Sequence, residues 1–95
     1  MAEVEGWIDW VSAPREERGW VLGFFLAPWR GTGETKWRKG KLVVLAPVPS
    51  VAAGRRLAKK LKEGGSYRMR VREISHGRMR ATTRPKLVDD VPEPR

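Results

Sequence analysis

Three runs in the first half of the chain predict β-strands, at residues 4–12, 19–27 and 41–48. The first alternates between apolar and polar positions with a period of two, the second is nearly continuously apolar, and the third is closed by two prolines. In the second run the larger side chains, Trp20, Leu22, Phe24 and Leu26, share one parity, which we expect to point inward. The smaller parity, which includes Phe25, is then left to face a ligand. Residues 28–40 are rich in glycine and charge and predict a long loop or the tip of a hairpin.

The period changes in residues 49–65, where apolar side chains recur at helical spacing. Ser50 is a suitable N-cap, and Gly64 with Gly65 marks the end of the helix. Gly54 lies inside it and weakens it by about 1 kcal/mol relative to alanine. The opposite face of this helix is strongly basic.

Residues 67–84 alternate again and predict a hairpin around a Ser-His-Gly turn. Tyr67, Met69 and Val71 share the parity expected to face the core. Six arginines occupy the other side of the hairpin: Arg68, Arg70, Arg72, Arg78, Arg80 and Arg84. Residues 85–95 contain three prolines and few residues able to pack, so we expect one domain over residues 1–84 and a flexible tail over 85–95.

The order of elements, three strands, a helix and two strands, resembles that of OB-fold barrels, which bind oligonucleotides on strands two and three. The predicted fold class is therefore mainly β, a small five-stranded OB-like barrel with one helix between strands three and four. The resemblance covers residues 4 to 84 and rests on element order. An SH3-like barrel and a twisted sheet packed on one helix are the alternatives.

Two narrower resemblances concern the ends of the chain. The stretch EGWIDWVSAPREERGWVLGFF (5–25) is similar to the opening of cold-shock domains, where aromatic rings on two strands stack on bases. Its loop is longer and acidic, and cold-shock domains lack the helix. The helix position is closer to that of OB-type single-stranded-DNA-binding proteins, and DDVP (89–92) resembles their acidic, partner-binding ending. That ending closes with a phenylalanine that this chain lacks. The positions that match cold-shock domains are Gly6, Ile8, Trp10, Gly19, Trp20 and Phe24 or Phe25.

The net charge of +9 is distributed unevenly. Residues 1–35 carry a balance of −3, residues 36–88 a balance of +14, and residues 89–95 a balance of −2. A surface adapted to high temperature would intersperse acids among the bases, whereas the central segment has two acids among sixteen bases. The segregation favours a polyanionic partner.

Several classes of function are disfavoured by composition. The chain has no cysteine and one histidine, His76, so we expect no metal site, no cofactor and no catalytic triad. The acidic N-terminal residues lack the pattern of a signal peptide, and no apolar run approaches the length of a membrane span. We therefore expect a cytoplasmic protein that is not an enzyme and does not bind membranes.

The arginines of the hairpin predict a phosphate-binding face. In an antiparallel pair they lie opposite one another, which is destabilising unless an anion neutralises them. Guanidinium groups also bind phosphate oxygens in pairs and stack on bases. The alternative is a solvated face that is partly neutralised by Glu5, Asp9 and Glu73, because the first and fourth strands are neighbours in an OB barrel.

The five tryptophans exceed what a small core requires. We assign Trp10, Trp20 and Phe24 to the core, and expect the other rings to be available to a ligand. Rings interleaved with positive charge suit unpaired nucleotides, which stack on them. A second interpretation is that Trp29 and Trp37 fold against each other and close the loop.

The sequence thus predicts a protein that binds single-stranded nucleic acid with low sequence specificity, with DNA slightly favoured over RNA. The alternatives are an accessory subunit whose basic face docks an acidic protein partner, and a factor that binds structured RNA. The residues expected to contact nucleic acid are Trp7, Phe25, Trp29, Arg30, Lys36, Trp37, Arg38, Lys39, Arg68, Arg70, Arg72, Arg78, Arg80 and Arg84.

Overall fold

The computed structural model describes residues 2–89 and residue 91. Five strands form the main sheet, and a helix lies between the third and fourth of them, as the sequence predicted. Two very short strands pair with two of these five. In chain order the elements are β1 (Ala2–Val11), β2 (Arg15–Glu16), β3 (Trp20–Gly31), β4 (Leu42–Val48), α1 (Val51–Lys62), β5 (Ser66–Ser75), β6 (Arg78–Ala81) and β7 (Lys86–Val88).

The main sheet closes on itself. β1 pairs antiparallel with β3, and β3 pairs antiparallel with β4. β4 and β6 run parallel, and β5 pairs antiparallel with both β6 and β1. The strand order β1-β3-β4-β6-β5 therefore returns to β1, which confirms the predicted OB-like barrel and distinguishes it from an open sheet packed on a helix.

Alternate residues of the strands fill the interior of the barrel. The residues of β3 and β5 that were predicted to point inward are almost all fully buried; Trp20 is half-buried at the start of β3. Because side chains alternate along a strand, burial of these residues places the arginines of β5 on the outer surface. The buried residues are Leu22, Phe24, Leu26, Tyr67, Met69 and Val71.

The helix packs on the barrel through its small and apolar face, which includes Ala58 and Leu61. The Ser50 side chain caps it by accepting from the Ala53 N–H at 3.1 Å. Gly54 is buried, and a Cβ atom at this position would lie 2.8 Å from Cγ of Pro14. The glycine that costs helix propensity is therefore what allows the segment after β1 to approach the helix.

A tyrosine joins the helix to the barrel. The Tyr67 hydroxyl donates to the main-chain oxygen of Lys60 at 3.3 Å. Burial, and to a lesser extent the negative charge of Glu63, raises the pKa of this phenol. Tyr67 therefore keeps its proton as a donor to the helix at neutral pH.

The chain after residue 84 differs from the predicted flexible tail. Lys86–Val88 forms β7, which pairs with β5, and Ser66 Oγ donates to the Val88 carbonyl at 2.7 Å. Val91 is buried as well. Part of the predicted tail thus belongs to the folded domain, while residues 90 and 92–95, including half of the DDVP motif, lie outside the described residues. Among residues 2–89 and 91, no helix is long and apolar enough to cross a bilayer.

Candidate nucleic-acid interface

One outer row of the barrel combines aromatic and basic side chains. Trp10 of β1 lies opposite Phe25 of β3, and Phe25 lies opposite Val43 of β4. Val43 in turn lies beside Arg78 of β6. Residues in register across a sheet share a face. The row therefore runs from an indole through a phenyl ring and a valine to a guanidinium.

Trp10 was expected in the core, and the structure corrects this. Its side chain is 51% exposed. The register explains why, since Ile8 pairs with Leu26 but Trp10 pairs with Phe25, so that β1 advances two residues while β3 advances one. Such a bulge moves the next side chain to the opposite face. Trp10 therefore joins Phe25 on the outer surface.

Trp10, Phe25 and Lys41 form an aromatic platform. The two rings lie 5.0 Å apart between centroids at an interplanar angle of 35°. The Lys41 ammonium lies 5.6 Å from the centre of the Phe25 ring and 3.2 Å from an Asp9 carboxylate oxygen. The Asp9 carboxylate thus holds the Lys41 ammonium over the Phe25 ring, which places a positive charge next to the exposed rings.

A second outer row is parallel to the first. Gly23 of β3 lies opposite Leu45 of β4, Leu45 lies beside Arg80 of β6, and Arg80 lies directly opposite Arg72 of β5. The predicted like-charge juxtaposition therefore occurs at one position. Among residues 2–89 and 91, neither Arg72 nor Arg80 forms an ion pair. We refer to these two residues as the open arginine pair.

The segment between β1 and β3 covers part of this second row. The Gly23 N–H donates to Ser12 Oγ at 3.1 Å, and the Ser12 N–H donates to the Gly23 carbonyl at 2.8 Å. Beneath this cover Leu45 is only 2% exposed. The same segment carries Glu17, whose carboxylate lies 3.6 Å from Arg78 and 3.1 Å from Arg15. An internal carboxylate therefore already contacts one arginine of the predicted face.

The other half of the arginine face is neutralised from within. Glu5 of β1 lies opposite both Arg30 of β3 and Arg68 of β5. Its carboxylate lies 3.2 Å from the Arg30 guanidinium and 3.3 Å from that of Arg68, and its side chain is 2% exposed. Next to it, Glu3 lies opposite Arg70. We call Glu5, Arg30 and Arg68 the carboxylate patch; it matches the alternative interpretation of the sequence for this half of the face.

Trp29, near the end of β3, and Trp37, in the loop that follows, are each stacked by an arginine of the same region. Arg30 stacks on Trp37 with its guanidinium carbon 4.6 Å from the ring centre, and Arg38 stacks on Trp29 at 4.7 Å. Trp29 and Arg38 also exchange main-chain hydrogen bonds of 3.4 and 2.8 Å. Trp29 further packs against the core. The two rings close the loop through crossed cation–π contacts rather than by touching each other.

The remaining predicted residues are dispersed. Trp7 lies opposite Ser66 and is half-buried; its Nε1 is buried and donates to no acceptor among the described residues. Lys36 and Lys39 are exposed on the loop after β3. Arg84 lies beyond β6, at a cavity beside α1. These residues are not brought together with the aromatic platform in one row.

Six of the fourteen predicted residues lie on two surfaces, and the others lie elsewhere. Phe25, Arg72, Arg78 and Arg80 lie on the outer face of β3, β4, β6 and β5 together with Trp10 and Lys41, which the predicted set omitted. Arg30 and Arg68 lie in the carboxylate patch. Trp10 was assigned to the core because it has the same parity as the inward-facing Val4. Nothing in the sequence marks the bulge that turns it outward. Lys41 could have been included from the sequence, because it lies in a basic stretch just before β4.

Across residues 2–89 and 91, no three acidic or histidine side chains gather to hold a metal ion. Comparisons with models of protein families, with curated proteins and with solved structures find no match to this chain. The function must therefore be inferred from the face itself.

Proposed function

We propose that this protein binds single-stranded nucleic acid, with bases stacked on the aromatic platform and phosphates held by the open arginine pair and Arg78. The observation that carries the proposal is the outward position of Trp10 against Phe25, beside Lys41 and in the same row as Arg78. Exposed rings flanked by cations are the combination that binds unpaired bases and their phosphates. Strands two and three of an OB barrel, here β3 and β4, are where such ligands bind.

The electrostatics of the face support a polyanion. Arg72 and Arg80 are opposite one another without a carboxylate partner among the described residues, so their mutual repulsion is relieved when a phosphate lies between them. Among the described residues, Arg78 has one carboxylate partner, a partly exposed contact of 3.6 Å to Glu17, which a phosphate can replace at small cost. Phosphate binding to these three arginines releases counterions and makes affinity dependent on salt.

The composition supports low sequence specificity. Asparagine and glutamine are the side chains that pair with adenine edges, and the sequence contains neither. Aromatic stacking accepts any base because every base has a π face. We therefore expect affinity to follow strand length and flexibility more than sequence.

Titration of intrinsic tryptophan fluorescence with homopolymeric single-stranded DNA, single-stranded RNA and duplex DNA, each at two salt concentrations, tests the proposal. We expect quenching by the single strands, weaker binding at the higher salt concentration, and little binding of duplex. Failure of every single strand to bind at low salt would contradict the proposal. Preferential binding of duplex or of a structured RNA would favour the alternative of a structured-RNA factor.

A further inference from the structure

The molecule has a second concave site at the other end of the barrel. A cavity of about 360 Å³ lies between α1, the end of β4 and residues 81–85. Phe25 lies opposite Val43, whereas the cavity begins three residues later at Ala46 and includes Val48. The three steps from Val43 to Ala46 span about 10 Å along β4, and the lining of the cavity includes none of Trp10, Phe25 and Lys41. The cavity is therefore separate from the aromatic platform.

The charges of this cavity all have the same sign. Arg56 and Lys60, four residues apart on α1, share a face of the helix and line one side. Arg84 lies on the other side, beside Thr82 and Thr83. None of the described residues that line the cavity is an aspartate or a glutamate. A ligand therefore has to be anionic to be complementary.

The floor of the cavity is apolar but not aromatic. Val48, Leu57 and Ala53 are only half-buried there, so the barrel core leaves part of their surface open. Proline rings at positions 47, 49 and 85 complete the walls. Since no ring is available for stacking, a nucleobase gains little here. An aliphatic side chain fills such a floor better, because burial of apolar surface is favourable without a specific orientation.

We propose that this cavity docks a short acidic segment of a partner protein, with an aliphatic side chain inserted against Leu57 and Val48. Carboxylates on either side of that side chain pair with Arg56, Lys60 and Arg84. The site goes beyond nucleic-acid binding and does not depend on it, since it uses none of the residues of the aromatic platform or the open arginine pair. With both sites, the protein links a nucleic acid to an acidic partner.

Fluorescence polarisation with labelled nonapeptides tests the docking site. One set carries aspartates around a central leucine, isoleucine or valine, and the matched set has serine at the centre and the same charge. We expect binding of the aliphatic set and about tenfold weaker binding of the serine set. Equal binding of the two sets, or no binding of either set at low salt, would overturn the proposal.

Charge-reversal variants of α1 distinguish binding in the cavity from a general electrostatic attraction to the protein. The pair Arg56→Glu with Lys60→Glu should weaken peptide binding by about tenfold or more, because it reverses two charges at the cavity. The matched pair Arg55→Glu with Lys59→Glu, exposed but outside the cavity, should change it by less than about threefold, since it alters only the general charge of the surface. Equal effects of the two pairs would show that the peptide responds only to net charge.

Ala53→Phe fills the cavity without changing charge and should also abolish peptide binding, while circular dichroism and thermal unfolding report whether the fold is retained. Unchanged peptide binding in a folded Ala53→Phe protein would contradict the proposal. Competition with an oligonucleotide distinguishes the two sites. If the oligonucleotide displaces the peptide, and Arg56→Glu with Lys60→Glu weakens both ligands equally, the cavity is an extension of the nucleic-acid face. A Trp10→Ala protein that loses the oligonucleotide but keeps the peptide would support two sites.

Discussion

The carboxylate patch and the open arginine pair each include one arginine of β5. The arginine in the patch is neutralised by a carboxylate, whereas the arginine in the open pair faces another arginine. Arg68 lies opposite Glu5, which is buried between it and Arg30. Four residues further along β5, Arg72 lies opposite Arg80. In the first arrangement a buried carboxylate neutralises the arginines, and in the second two arginines face each other without a carboxylate partner among the described residues.

The difference shows that strand pairing, and not the number of arginines, decides which of them are neutralised by a carboxylate. Residues 66–71 of β5 pair with β1, which carries glutamates. Residues 71–75 of β5 pair with β6, which carries arginines. The same alternating sequence is therefore neutralised at one end and exposed at the other.

Replacing the buried carboxylate should have the largest effect. Glu5→Gln leaves Arg30 and Arg68 without their shared counter-charge, and removal of one partner from a buried ion pair costs about 3 kcal/mol of unfolding free energy. Urea unfolding measures this loss. The matched control is Glu3→Gln on the same strand, where an exposed carboxylate should contribute less than about 0.5 kcal/mol. Similar losses of unfolding free energy in the two variants would mean that the buried carboxylate of Glu5 contributes no more than an exposed one.

Removing the exposed indole should weaken binding without affecting stability. Trp10→Ala removes a stacking surface worth about 1–3 kcal/mol, so affinity for a single-stranded oligonucleotide should fall about tenfold or more. Because Trp10 is half exposed, the unfolding free energy should change little. Leu87→Ala is the control, since Leu87 is 56% exposed and far along the chain from the platform. A destabilised Trp10→Ala protein with unchanged affinity would reverse this assignment.

Replacing either arginine of the open arginine pair should raise the stability of the protein and weaken its binding to nucleic acid. Arg72→Gln and Arg80→Gln each remove a like-charge contact, so the unfolding free energy should rise by about 0.5 kcal/mol. The slope of log affinity against log salt should fall by about 1 for each phosphate contact that is lost. Arg68→Gln should do the opposite and lower stability. If Arg72→Gln and Arg68→Gln behave alike, the contrast between the two ends of β5 fails.

The smallest effect is expected at Glu17. Its contact with Arg78 is long and partly exposed, so its loss changes stability by at most about 0.5 kcal/mol. Glu17→Gln frees Arg78 for a phosphate and should strengthen oligonucleotide binding about twofold to threefold. Glu16→Gln, on the same segment, controls for the change in net charge. Weaker binding by Glu17→Gln would indicate that the contact orders the face instead of competing for it.

The fold could be predicted from the sequence because the signals that define its strands and helix lie within a few neighbouring residues. The alternation in β3 and β5, the Ser50 cap and the Gly64–Gly65 end all follow from residue properties that act over a few positions. Their order was enough to predict the barrel. The short strand β7 was not predicted, because its three residues gain stability only by pairing with β5.

The site was predicted only in part because it depends on long-range register. The bulge that turns Trp10 outward is set by how β1 pairs with β3, some fifteen residues away in sequence. The burial of Glu5 between two arginines likewise requires three strands to align. Gly54 is a third example, since its need for space comes from Pro14 in another segment. None of these contacts has a periodicity that a sequence window reveals.

The most direct test of the central claim is a two-dimensional proton–nitrogen NMR titration with a short single-stranded oligonucleotide. The five tryptophan indoles are distributed over both kinds of surface and act as built-in reporters. We predict large shifts of the Trp10 indole and of the amides of Phe25, Val43, Arg78 and Arg80, with the Trp7 indole and the Glu5 and Arg68 amides nearly unchanged. Shifts confined to the carboxylate patch, or none at saturating oligonucleotide, would contradict the account.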